Sequence, residues 1–108
     1  MNNKYNEIEI EGAIKRLGVN KEFLVKLINK FLKGEMLEKL EKSFKESNIE
    51  EAKIVIHSIK GTSANIGLTG LSNLALDMEE KIKEGYLDLE MLETMKNLWN
   101  ETCNLLNL

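Results

Sequence analysis

His57 is the only histidine in the chain, and the residues one helical turn from it are Lys53, Lys60 and Gly61, with Ala64 a further turn on. An exposed imidazole is largely unprotonated at neutral pH and is then a nitrogen nucleophile. A lysine three residues on supplies a fixed positive charge, which can neutralise an incoming phosphoryl group and draw in an acidic partner pocket. Gly61 costs about 1 kcal/mol of helix propensity relative to alanine, and stability alone gives no reason to carry that cost. Its bare backbone lets another molecule come close to the ring. These residue types together suit a histidine that takes up a phosphoryl group and gives it up again. A solitary surface histidine is most often inert, and a lysine three residues later is common in a lysine-rich chain. The conjunction of all four neighbours is what singles this one out.

The helix that must carry these residues is predicted over 49–66. Ala52, Ile56, Ile59, Ser63 and Ile66 recur at spacings of four and three, with Val55 and Thr62 flanking them, which makes a core stripe. His57 lies two residues before Ile59, a rotation of roughly 200°, so it points away from the core. Asn48 followed by Glu51 resembles a capping box at the start of this helix, and Gly67 is its stop. A short helix is expected over about 8–17, with Ile10, Ala13, Ile14 and Leu17 on one side and Gly18 as its stop. Asn20 caps the next helix, whose stripe is Phe23, Leu24, Leu27, Ile28 and Phe31. The pattern resumes at Leu37, Leu40 and Phe44. A lone interior glycine costs only about 1 kcal/mol, so one long helix through Gly34 to about residue 46 is expected. Thr69 is expected to cap a helix with the stripe Leu71, Leu74, Ala75, Met78 and Ile82, ending at Gly85. Asp88 then caps the last helix, with Leu92, Met95, Trp99, Cys103 and Leu106 inward. Short loops force antiparallel neighbours. The expected fold is therefore all-α: one domain over residues 1–108, an antiparallel up-down four-helix bundle with a short accessory N-terminal helix across one end.

Composition narrows the function. The 108 residues are 43% hydrophobic and 31% charged, without proline, which favours a helical domain over a disordered segment or a β-sandwich. Fifteen basic and 18 acidic residues give a net charge of −3, the wrong sign for a nucleic-acid binder. Cys103 is the only cysteine, so an intramolecular disulfide and a Cys-rich zinc site are both excluded, and the usage suits a reducing cytoplasm. No apolar run approaches the ~20 residues that span a bilayer. The start, Met1-Asn2-Asn3-Lys4-Tyr5-Asn6-Glu7, has no apolar core of a secretory signal. Neither G-x-x-x-x-G-K-[ST] nor G-x-G-x-x-G occurs, which argues against an autonomous nucleotide-binding enzyme.

The run Ala52-Lys53-Ile54-Val55-Ile56-His57-Ser58-Ile59-Lys60-Gly61-Thr62-Ser63-Ala64-Asn65-Ile66-Gly67 resembles the signature of histidine-containing phosphotransfer (HPt) domains. Leu71, Leu74 and the pair Met78-Glu79 fall where that family has its following hydrophobic positions and its Leu-Glu pair. Ala13-Ile14-Lys15-Arg16-Leu17-Gly18 and the stretch from Phe23 to Leu32 look like the family's N-terminal helices. The resemblance implies a four-helix bundle with an accessory helix. It implies phosphorylation of His57, on Nε2, by the phospho-aspartate of a response-regulator receiver domain, and onward transfer to another receiver or back. It implies no ATP site and no independent catalysis, with Mg²⁺ and most catalytic groups on the receiver, so no cofactor of its own. Lys60 would assist electrostatically and Gly61 would permit close docking. Lys53, Ala64, Leu76 and Glu79 complete the expected partner face.

Two residues there have competing readings. Several family members carry Gln where this chain has Glu79. A carboxylate at that place could accept an imidazole N–H and hold the ring; the expectation is a solvated charge beside Glu80 and Glu84. Leu76 points away from its helix's stripe, and single exposed leucines usually carry no function; the alternative is an apolar docking patch beside His57. Trp99 and Cys103 read as core, and Asn65 as a helix end. The expected function is a cytoplasmic, monomeric phosphohistidine carrier with receiver-domain partners and no membrane or nucleic-acid contact. Alternatives are a receiver-docking adaptor that is never phosphorylated, the HPt domain of a larger sensor kinase, and a generic oligomerising bundle.

Overall fold

A computed structural model describes residues 7–107; residues 1–6 of the segment read for a secretory signal lie outside them. The described chain is all-α. Its helices are α1 (Ile10–Leu17), α2 (Lys21–Leu32), α3 (Met36–Lys45), α4 (Ile49–Asn65), α5 (Thr69–Lys83) and α6 (Leu89–Leu105). Local capping chemistry sets several of these limits. The Asn20 side chain accepts from Phe23 N–H at 2.8 Å, Asn48 from Glu51 N–H at 3.0 Å, and Asp88 from Glu90 and Met91 N–H. Each satisfies donors that the first helical turn leaves free.

The expected long helix is two. α2 ends at Leu32 and α3 begins at Met36, with Lys33, Gly34 and Glu35 between them. The cause is a side chain far away in sequence. In an unbroken helix the Leu32 carbonyl would accept from Met36 N–H, but here it accepts from the buried Trp99 Nε1–H at 2.9 Å. A buried indole needs such a partner, and Phe31 packs against the same ring with centroids 5.1 Å apart. Gly34, with little helix propensity, yields at that point. The inward line of α2 is also displaced by one residue. Leu24, Ile28, Phe31 and Leu32 are buried, whereas Phe23 is half exposed.

Thr69 does not cap α5. It is the first helical residue, Leu68 is the N-cap, and no side chain caps the helix. A carbonyl from the chain's beginning does so instead: Gly70 N–H donates to Glu7 O at 2.7 Å, and Glu9 N–H donates back to Gly67 O at 2.7 Å. The N-terminal segment thus lies directly on the α4–α5 turn. Gly67 makes this approach possible. Its φ is 85°, and a Cβ there would sit 2.6 Å from the Glu9 carbonyl oxygen. α1 continues from this segment and is fastened to α4, whose last turn has no basic residue of its own. Arg16 donates to the carbonyls of Ala64 and Asn65 at 2.8 and 2.9 Å, which satisfies acceptors left open at the helix C-terminus.

The core runs between the helices. Ala52, Ile56, Ile59 and Ser63 of α4 and Leu71, Leu74, Ala75, Met78 and Ile82 of α5 are buried, as are Met95, Leu98 and Trp99 of α6. Leu106 and Cys103 pack against this core without being fully buried. α4 packs most extensively on α5; α3 packs on α4, α5 on α6, and α6 returns to α2 and α3. Among the described residues no helix is long and apolar enough to cross a membrane.

Candidate functional site

His57 sits in the middle of α4 on the side opposite Ile59, as its wheel position requires. Its side chain is 69% exposed, whereas Ile59 is completely buried. Beside it, a Cβ added to Gly61 would meet nothing within 4 Å, so the clearing read from the sequence is open space. Ala64, one turn further, is exposed. Lys53, one turn before His57, is half-buried and paired with Glu50 at 3.4 Å. Leu76 of α5 is exposed.

Glu79 is the correction at this site. It is not a solvated charge beside Glu80 and Glu84: it is 4% exposed. One carboxylate oxygen lies 2.9 Å from His57 Nδ1, and the other accepts from Lys60 Nζ at 2.6 Å. On α5 it follows Ser72 and Ala75 on the edge that meets α4. The Ser72 hydroxyl donates to the Lys60 carbonyl at 3.1 Å, which ties the two helices together about two turns before the carboxylate on α5. The small side chains of Ser72 and Ala75 leave room for α4 to lie close, so that Glu79 reaches both His57 and Lys60. The wheel of α5 places Glu79 at the border between core and solvent. Which side it takes depends on a partner 22 residues away, and that partner is invisible to periodicity.

Burial opposes ionisation of Glu79. The hydrogen bonds from Lys60 and His57, with the charges of Lys60 and Lys83, outweigh it and hold the carboxyl below the usual glutamate value. An ionised carboxylate has no proton to donate, so the hydrogen in the His57 contact belongs to Nδ1. In the neutral ring that fixes the tautomer, with Nδ1–H toward Glu79 and the lone pair on Nε2. The arrangement is a nucleophilic nitrogen, oriented from behind by a carboxylate and accompanied by an ammonium held on the same carboxylate.

This geometry gives Lys60→Ala a cost in stability. Removing the ammonium leaves a buried carboxylate short of a partner, at a cost of about 1–3 kcal/mol. The sign with pH follows from the lowered value of Glu79. A carboxyl whose folded value lies below its unfolded one, about 4.3, contributes stability that is fully present above the unfolded value. That contribution is lost as pH falls through the folded value. Urea unfolding of wild type and Lys60→Ala should therefore differ at pH 7 and converge in strong acid. A constant difference across that range contradicts the charge pairing.

Sequence reading also missed Ile54. It is 63% exposed and lies three residues before His57, so it shares the same face of α4. A β-branched hydrophobe in open solvent beside the ring was the available signal. Leu76 of α5 is exposed as well.

Comparison with known proteins gives one match. The family model of the Hpt domain matches residues 34–104, the span from Gly34 through α3, α4 and α5 and nearly all of α6. No curated protein and no solved structure matches the chain.

Proposed function

The chain belongs to the Hpt domain family, and from that premise we propose that it carries a phosphoryl group on Nε2 of His57, taken from a receiver-domain aspartate and passed to another receiver. Membership brings a phosphotransfer role in two-component signalling; the residue and the chemistry are our reading. The observation that carries it is the exposed imidazole whose Nδ1 is held by a buried carboxylate. The Nε2 lone pair attacks the phosphorus of the aspartyl phosphate, the N–P bond forms, and the O–P bond breaks with its electron pair remaining on the aspartate. Lys60 lies where it can turn from Glu79 toward the transferred group and offset its charge. The receiver supplies Mg²⁺ and the remaining catalytic groups, and this chain contributes no ATP site. Gly61 and Ala64 give room for docking, and Ile54 and Leu76 give apolar contact. The same reading takes α2 and α3 as two halves of one arm of an up-down four-helix bundle completed by α4, α5 and α6, with α1 as the accessory helix.

Incubation with receivers loaded from acetyl phosphate tests it. A label that is acid-labile and base-stable should appear on this chain. Receiver binding without any label would select the docking-adaptor reading instead.

Gly61→Arg separates docking from stability. Its Cβ has free space, and replacing an interior helical glycine gains up to about 1 kcal/mol. The variant should melt slightly higher than wild type yet transfer at least about tenfold more slowly, because a long cation fills the approach to the ring and 1.4 kcal/mol of lost docking already gives that factor. Transfer at the wild-type rate would show that the clearing has no part in recognition.

A further inference from the structure

We propose that Ser72 is a positioning residue for Lys60: from α5 it braces the one peptide unit of α4 that Gly61 softens, and so fixes the point from which the ammonium swings between Glu79 and an incoming phosphoryl group. The inference rests on the phosphotransfer reading proposed above and adds to it a residue that acts only through Lys60.

The need for a brace follows from the clearing. Gly61 leaves open space beside His57, but glycine adds backbone freedom wherever it stands in a helix. The peptide unit that joins it to Lys60 is therefore the soft point of α4. The carbonyl of that same unit is where side-chain hydroxyls converge. Ser72 of α5 donates to it at 3.1 Å, and Ser63, three residues on along α4, approaches it at 3.3 Å. Ser63 bonds the Ile59 carbonyl at shorter range, and a hydroxyl has one proton to give, so Ser72 is the principal donor. Ser63 also belongs to α4 and moves with it, whereas Ser72 ties the unit to another helix. An alanine at position 72 would fill the half-buried seam nearly as well and has the higher helix propensity. Packing alone gives no reason for the hydroxyl.

The direction of each group fits a lysine held at both ends. The turn at Gly67 sends α5 back along α4. Helix carbonyls point toward the C-terminus, so the Lys60 carbonyl faces the beginning of α5, where Ser72 stands. Helix side chains lean toward the N-terminus, so the Lys60 stem runs the other way along α5. It ends seven residues beyond Ser72, at Glu79, where the ammonium meets the carboxylate at 2.6 Å. With its main chain pinned, Lys60 reaches the phosphoryl group by rotating its side chain alone. Without the pin, the Lys60–Gly61 unit takes up part of the motion and the position of the ammonium spreads. Electrostatic assistance depends on a charge already placed where negative charge gathers, and a misplaced group loses rate steeply.

The experiment is phosphoryl transfer from one phosphorylated receiver to wild type, Ser72→Ala, Lys60→Ala and the double variant. Ser72→Ala should lower the rate at saturating receiver by about threefold to tenfold. The half-saturating receiver concentration should stay the same, since the docking surface is untouched. In the Lys60→Ala background the same substitution should change nothing further, because the cation that it positions is gone. Equal rates for wild type and Ser72→Ala overturn the inference. The same loss in both backgrounds overturns it too, since Ser72 would then serve the scaffold alone. Proton exchange of the Lys60 ammonium with water, followed by ¹⁵N NMR with the exposed Lys26 as reference, needs no transfer. It should quicken about threefold or more in Ser72→Ala, since exchange follows local opening of the ion pair, and an unchanged rate overturns the proposal. A wild type that takes up no phosphoryl group removes the phosphoacceptor reading itself, and the ammonium measurement then decides separately whether Ser72 holds Lys60.

Discussion

His57→Gln is expected to abolish phosphoryl labelling completely while leaving a folded domain. The loss is total because this is the chain's only histidine and no second nitrogen nucleophile of the same kind stands on the face cleared by Gly61. The fold survives because the ring contributes little to it. The side chain is 69% exposed, and its hydrogen bond is to Glu79, which keeps Lys60 as a partner after the substitution. Losing that one bond to a charged group costs at most about 1.5–3 kcal/mol, less than the ~5–15 kcal/mol typical of a domain. Labelling with a phosphorylated receiver and a denaturant melt on the same preparation measure both halves. A label retained by the variant would move the acceptor to another residue. A variant that is unfolded at room temperature would show that the imidazole belongs to the scaffold.

That the exposed histidine was legible in the sequence, while the buried carboxylate in contact with it was not, has a physical reason. The position of His57 follows from local periodicity: Ala52, Ile56, Ile59 and Ser63 must face inward, and the ring two residues from Ile59 then cannot. Helix limits at Asn20, Asn48 and Asp88 were legible for the same reason, because a cap is a contact within three residues. The stops at Gly18, Gly67 and Gly85, at φ 66°, 85° and 92°, need only the absence of a Cβ. Each departure involves a contact across the chain. Trp99 takes the Leu32 carbonyl and splits the expected long helix. Glu7 takes over the capping work assigned to Thr69. Glu79 turns inward because the α4–α5 pairing presents it with two donors. In every case the deciding group is a polar atom that must be satisfied once buried, and pairing of that kind leaves no trace in hydropathy.

Ile59→Ala should produce the opposite outcome to His57→Gln, although only two residues separate the sites. Ile59 is completely buried at the centre of the stripe that seats α4 in the core, between Ile56 and Ser63 on successive turns. Removing three carbon atoms there forfeits their transfer free energy and leaves a cavity that the surrounding helices close only in part, a combined cost of about 2–5 kcal/mol. Ser63, the next residue on the stripe, is already committed, since its hydroxyl donates to carbonyls of the preceding turn. The cost should therefore fall in the upper part of that range. Urea unfolding should show a lower midpoint with an unchanged slope, since the surface exposed on unfolding barely changes. At low temperature, where the variant remains folded, His57 should still take the label if it is the phosphoacceptor as proposed, because its contact to Glu79 and the open space at Gly61 lie on the other side of the helix. A midpoint equal to wild type would mean that α4 is not seated as described, and the outward placement of His57 would lose its foundation.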